Sequence, residues 1–184
     1  MKKMFIVATL MLGAHNLFAY QTLSLAEYRE QLNQQMTITK IDCENQSEQL
    51  KQGVVYETLK GQYNLSDEQA QICNKDYSRL IKRFCQRKIQ TLQIMQSYTT
   101  SEKLNEIRKG FSVHPASSAL GAVVLYKSKK DLQSLQSRSM AFIDRHVNRS
   151  NCDSLKKDVN MKQYLNDFFN EQYNLFSATT LNID

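Results

Sequence analysis

Apolar side chains recur along this chain at steps of three, four and seven residues, and the alternation that strands need is almost absent. Ser24 followed by Glu27 makes a capping box, the local signature of a helix start. From there Leu25, Tyr28, Leu32, Met36, Cys43, Leu50 and Val54 share one face at about 100° per residue. The spacing predicts one long helix laid against another, with the β-branched stretch Thr37–Ile41 as the place where it would break. Gly61–Leu65 reads as the first turn, and Ser66 with Gln69 opens a second capping box. The next helix is predicted from about Asp67 to Tyr98, burying Cys73, Tyr77, Leu80, Phe84, Thr91 and Met95, with Ile81 and Leu92 at the margin. Its opposite face carries Lys75, Arg79, Lys82 and Arg83, with Arg87 at the edge.

A shorter helix follows from about Glu102 to Lys109, with Gly110 as its expected left-handed cap, Phe111–His114 as loop and Pro115 opening the next helix. Ala116–Tyr126 reads as helix or short strand, and helix is preferred because no partner strand is in sight. In that helix Leu120, Val123 and Val124 point inward. The apolar face then rotates to Leu132, Leu135, Phe142, Ile143 and His146, so Ser128 is expected to mark a kink or restart. After a turn at Asn148–Asn151, a last helix from about Ser154 to Phe176 buries Leu155, Val159, Leu165, Phe169, Tyr173 and Phe176. One proline and five glycines leave few breaks, and no repeat or linker divides the pattern. The fold class is all-α, a helical bundle built on a long antiparallel hairpin.

The N-terminus changes the picture. Lys2 and Lys3 precede an uncharged apolar run, Met4–Gly13, and then a polar-to-small stretch ending at Ala19. That is the layout of a secretory signal peptide, with residues 1–19 removed and 20–184 left as one helical domain. The run is shorter than the ~20 residues a spanning helix needs, and no later segment is apolar enough to span. The two-lysine signal and the Lys/Asn/Gln-rich body point to a bacterial periplasm, with secretion as the alternative.

Export gives the four cysteines a meaning, because the compartment beyond the inner membrane is oxidising. Cys73 and Cys85 lie roughly 18 Å apart on one predicted helix, too far to bond each other. A hairpin turning near residue 64 sets Cys43 opposite Cys85, leaving Cys73 with Cys152. A first helix broken near Ile38 would instead favour Cys43 with Cys73 and Cys85 with Cys152. No Cys-x-x-Cys or zinc-ligand spacing occurs, and no metal is expected.

Without Lys2 and Lys3 the formal net charge falls from +6 to +4, and it is unevenly spread. Residues 66–110 and 111–152 carry +4 each, whereas 20–65 and 153–184 carry −2 each. The face made by Lys75, Arg79, Lys82 and Arg83 is the binding candidate, and an acidic protein suits it; the plain alternative is a solvated face balanced by Asp76 and Glu68. Nucleic acid is not expected, since that face lacks interleaved aromatics. Catalytic signals are thin. Only His114 and His146 follow the signal, the first beside Pro115 and the second on an apolar face. No Gly-rich phosphate loop, Gly-x-Ser-x-Gly or His-Glu-x-x-His occurs, so neither catalysis nor a cofactor is expected.

Leu65-Ser66-Asp67-Glu68-Gln69 resembles the Leu-Thr-x-x-Gln motif of the Spy and CpxP family of periplasmic helical chaperones, with Ser66 in place of Thr. The resemblance covers five residues, has no second copy, and implies a cradle-shaped dimer holding unfolded clients; two disulfides depart from that family. The leading expectation is an exported, non-catalytic helical protein that binds a protein partner, as an inhibitor, a toxin-immunity protein or an envelope adaptor. A chaperone of that family's kind is one alternative. A small periplasmic hydrolase is the other, and it would need a pocket gathering carboxylates with His114 or His146.

Overall fold

Ser24 begins the first helix as the sequence predicts: its hydroxyl accepts from the Glu27 N–H, and the Glu27 carboxylate accepts from the Ser24 N–H at 2.8 Å. The Ser24 hydroxyl, which also lies 2.7 Å from that carboxylate, and then the Ser24 N–H hold the Glu27 carboxyl below its usual range. The computed structural model describes residues 24–109, 117–157 and 160–178. The predicted signal segment 1–19 lies outside the described residues, as do Gly110, the Phe111–His114 loop with its histidine, and Pro115.

Helix α1 (Leu25–Lys51) passes unbroken through Thr37–Ile41 and buries Tyr28, Leu32, Met36 and Thr39. The Thr37 hydroxyl donates to the Asn33 carbonyl at 3.0 Å, so the β-branched stretch is satisfied within the helix. The break comes at Gln52–Gly53 instead, where Gly53 takes φ +76°, a conformation that costs other residues a Cβ clash. That step resets the helical phase. In α2 (Val54–Tyr63) it is Val55 and Leu59 that enter the core, while the expected Val54 is 41% exposed. Gly61 is helical, and the turn is carried by left-handed Asn64. The Ser66–Gln69 capping box then opens α3 (Asp67–Ser97), so the letters of the five-residue motif have a local use. Tyr56 donates to Asp67 at 2.8 Å and Lys60 pairs with the same carboxylate, closing the turn.

The α3 helix is the central rod, packed against α1, α2 and the later helices. It buries the whole predicted stripe together with Leu92 and Cys85. Against α1 it runs antiparallel. Arg29 donates to the Thr99 carbonyl, Gln96 to the Asn33 side chain at 2.6 Å, and Cys43 is bonded to Cys85 with Cα atoms 5.7 Å apart. Helix α4 (Ser101–Lys109) buries Leu104 and Ile107 and leads toward α5 (Ser117–Arg149). That helix is continuous, which removes both the strand option and the restart at Ser128. Its buried stripe is Leu120, Val124, Ser128, Leu132, Leu135, Ser139 and Ile143. Ser128 and Ser139 sit on the stripe because their hydroxyls bond their own helix, at the carbonyls of Leu125 (2.9 Å) and Leu135 (2.6 Å). A polar letter at 128 therefore looks like a break in the pattern without being one.

The chain closes with α6 (Asp153–Lys157) and α7 (Asn160–Ala178). Leu155, Leu165, Phe169 and Phe176 are buried as predicted, Tyr173 is half-buried, and Gln172 joins the core. Residues 158 and 159, and with them the expected core position of Val159, lie outside the described residues. Among the described residues every element is helical, and no helix is long and apolar enough to cross a membrane.

Candidate partner-binding seam

Helices α3 and α5 run antiparallel along a seam tied at both ends. At one end Tyr98 donates to the Asp131 carboxylate at 2.7 Å; burial and this bond together raise the phenol well above its usual range. At the other end Cys73 is bonded to Cys152, with Cα atoms 4.9 Å apart and both side chains almost wholly buried. The Ser154 hydroxyl lies 3.0 Å from Cys152 Sγ and 3.6 Å from Cys73 Sγ, and only the hydroxyl has a proton to donate. One turn along α3, Asp76 accepts from the Ser150 hydroxyl, and His146 Nε2 lies 3.3 Å from the Asp76 carbonyl and 3.8 Å from its Oδ1. Ser150 thus gives its proton to the carboxylate and not to the imidazole, an arrangement that ties helices together rather than activating a nucleophile.

Between these ties the seam is lined with arginine. Of the predicted face, Lys75, Arg79 and Lys82 are exposed, and Arg79 lies 3.9 Å from Asp76. Arg83 departs from that face. Its side chain turns into a shallow cleft with Leu80, Phe84, Arg87, Ser139 and Phe142, and its guanidinium lies 5.0 Å over the Phe142 ring. Arg87 follows it one turn on. The Nε of both arginines is buried with no partner among the described residues. One terminal nitrogen of each donates to a neutral neighbour, Arg83 to Gln86 at 3.1 Å and Arg87 to Gln90 at 2.6 Å. Burial, then the charges of Arg83 and Arg138, hold Arg87 below the usual guanidinium range. Arg138 therefore brings a third cation from α5. Among the described residues no carboxylate pairs with Arg83, Arg87 or Arg138.

The cleft thus gathers Arg83, Arg87 and Phe142, with Arg138 acting on Arg87 from α5. Only Arg83 is legible in the sequence as a binding residue, because a helical wheel of one helix does not show which neighbour shares its rim.

A second cation is handled differently. Lys88 Nζ lies 5.8, 5.9 and 5.2 Å from the ring centres of Phe84, Tyr164 and Phe168. Its pKa is lowered, burial outweighing the opposing pull of Asp42 and Glu171. A lysine depressed in the folded state binds fewer protons than in the unfolded chain, so it makes stability rise as pH climbs through its folded pKa toward the ordinary value near ~10.4. Lys88→Met is therefore expected to be more stable than the parent near neutrality, with an advantage that shrinks as pH rises to about 10. Paired urea titrations at the two pH values check this, and an advantage that grows with pH contradicts it.

Among the described residues no group of three or more His, Cys, Asp or Glu is placed to hold a metal ion. No protein family, curated protein or solved structure matches this chain.

Proposed function

We propose that this chain is an exported, disulfide-stapled helical protein that binds an acidic protein partner through the α3–α5 seam, without catalysis of its own. Inhibitor, toxin-immunity protein and envelope adaptor are the roles that suit such a scaffold. The observation that carries the reading is the pair Arg83 and Arg87 at a cleft floored by Phe142, with Arg138 of α5 acting on Arg87 by charge and no carboxylate paired with any of the three among the described residues. Two guanidiniums one helical turn apart, each with a buried and unpartnered Nε, repel one another, and a carboxylate from outside relieves that cost through two-pronged hydrogen bonds. Pairing of all four cysteines supports a life in an oxidising compartment, the periplasm in this reading.

The test is stoichiometric capture from an envelope fraction, followed by titration of the captured partner. The triple variant R83Q/R87Q/R138Q is expected to lose about 100-fold in affinity while keeping its helical circular dichroism. Binding of the parent should also weaken steeply with salt. Undiminished binding by the folded triple variant would remove the seam. Suppression of aggregation of unrelated unfolded clients, indifferent to the same substitutions, would hand the function to the chaperone alternative.

A further inference from the structure

The outer face of α5 carries charge that the bundle does not neutralise. Lys127, Lys130, Arg138, Arg145 and Arg149 are all exposed, and no ion pair reaches any of them among the described residues. At about 100° per residue they fall within roughly 100° of arc, so they form a straight line about 33 Å long. One carboxylate, Asp131, lies within that arc, and it accepts from the Tyr98 hydroxyl at 2.7 Å. Asp144 points away and pairs with Lys162, and Lys129, on the other side of the helix, sits 5.3 Å over the Tyr173 ring. Arg138 Nε donates to the Ser134 carbonyl at 3.2 Å, laying its guanidinium back along the helix.

Two short residues also lie on the line. Ser134 and Ala141 are exposed, short and seven residues apart, so low points recur every two turns between the cations. Arg145 and Arg149 stand at a spacing where like charges destabilise a helix. An amphipathic helix that lies on a bilayer sets large apolar residues beside its cations, and here the line holds only Ala141. Single-stranded nucleic acid needs open rings to stack on, and the Phe142 ring is already engaged by Arg83 and His146.

We infer that this line receives an α-helix of the partner, one bearing carboxylates at the same three- and four-residue steps and seating its ridge at Ser134 and Ala141. The inference rests on the acidic-partner reading above and gives that partner a shape. Carboxylates spaced by one helical turn match cations spaced by one helical turn, and side chains as small as serine and alanine let two helix axes approach closely.

The probe is a synthetic helical peptide with one glutamate stripe, set against a scrambled isomer of equal composition and against vesicles with about a third anionic lipid. Fluorescence anisotropy with the oxidised protein is expected to show the striped peptide binding about tenfold tighter than the scrambled one. Lys127→Glu, Lys130→Glu and Arg145→Glu together, all at exposed positions outside the seam, should abolish that preference with circular dichroism unchanged. Equal binding of the two peptides overturns the helix assignment, and tighter binding to vesicles than to the striped peptide overturns it in favour of a bilayer. Envelope capture that R83Q/R87Q/R138Q destroys and the three glutamates leave intact also overturns it, while the seam stands.

Discussion

Alanine at both Cys73 and Cys152 is expected to lower the free energy of unfolding by about 4–5 kcal/mol. The bond joins residues 79 apart, and closing a loop of that length removes much of the entropy of the unfolded chain. The matching double variant at Cys43 and Cys85 spans 42 residues, and because the dependence is logarithmic its entropic loss is smaller by only about 0.5 kcal/mol. The structure predicts a wider gap. Helix α6 has five residues, too few to hold itself together, and it is pinned by Cys152 at its start, by Ser154 against the sulfurs and by buried Leu155. Cutting the Cys73–Cys152 bond frees that segment as well, whereas α1 and α3 keep Tyr28, Leu32 and Met36 in the core and the Asn33–Gln96 bond when Cys43–Cys85 is lost. Urea unfolding of the two double variants should therefore separate them by more than the loop term alone, with the Cys73–Cys152 variant the less stable. Equal midpoints would mean that α6 docks without its sulfur anchor.

The elements of this fold were legible because they depend on short-range chemistry. Two capping boxes marked two helix starts, and an apolar stripe from Cys73 to Met95 marked the buried side of α3. The hairpin register followed from the same facts, since two straight helices joined by a short turn pair residues in mirror order, and this put Cys43 across from Cys85. Local satisfaction of polar groups hides the continuity of the helices from the sequence. Thr37 and Ser128 look like interruptions, yet each bonds a carbonyl of its own helix and leaves the rod intact. The true break at Gly53 was hidden because a single glycine can be accommodated within a helix, as Gly61 is eight residues on. The candidate seam was only partly legible for a different reason. It arises where α3 and α5 meet, and the charge of Arg138 reaches Arg87 from a helix far along the chain. The cations of α5 have a visible period, but that none of those on its outer line forms an ion pair among the described residues belongs to three dimensions.

Phe176→Ala is the other substitution with a large expected cost, about 3–5 kcal/mol. Phe176 is fully buried near the end of α7, and its ring centre lies 5.5 Å from that of Tyr28 near the start of α1. The pair thus joins the first described helix to the last, and no disulfide reaches α7 to compensate. Tyr28 itself predicts the opposite sign. Its hydroxyl is buried with no partner among the described residues, and burial drives the phenol far above its usual range. Tyr28→Phe keeps the ring and removes the stranded hydroxyl, so it should stabilise by about 1 kcal/mol. Because the ring is what touches Phe176, the two substitutions should be additive within about 0.5 kcal/mol in a double-mutant cycle. A destabilised Tyr28→Phe, or strong coupling between the sites, would show that the hydroxyl has a partner beyond the described residues and that the contact between α1 and α7 is polar as well as aromatic.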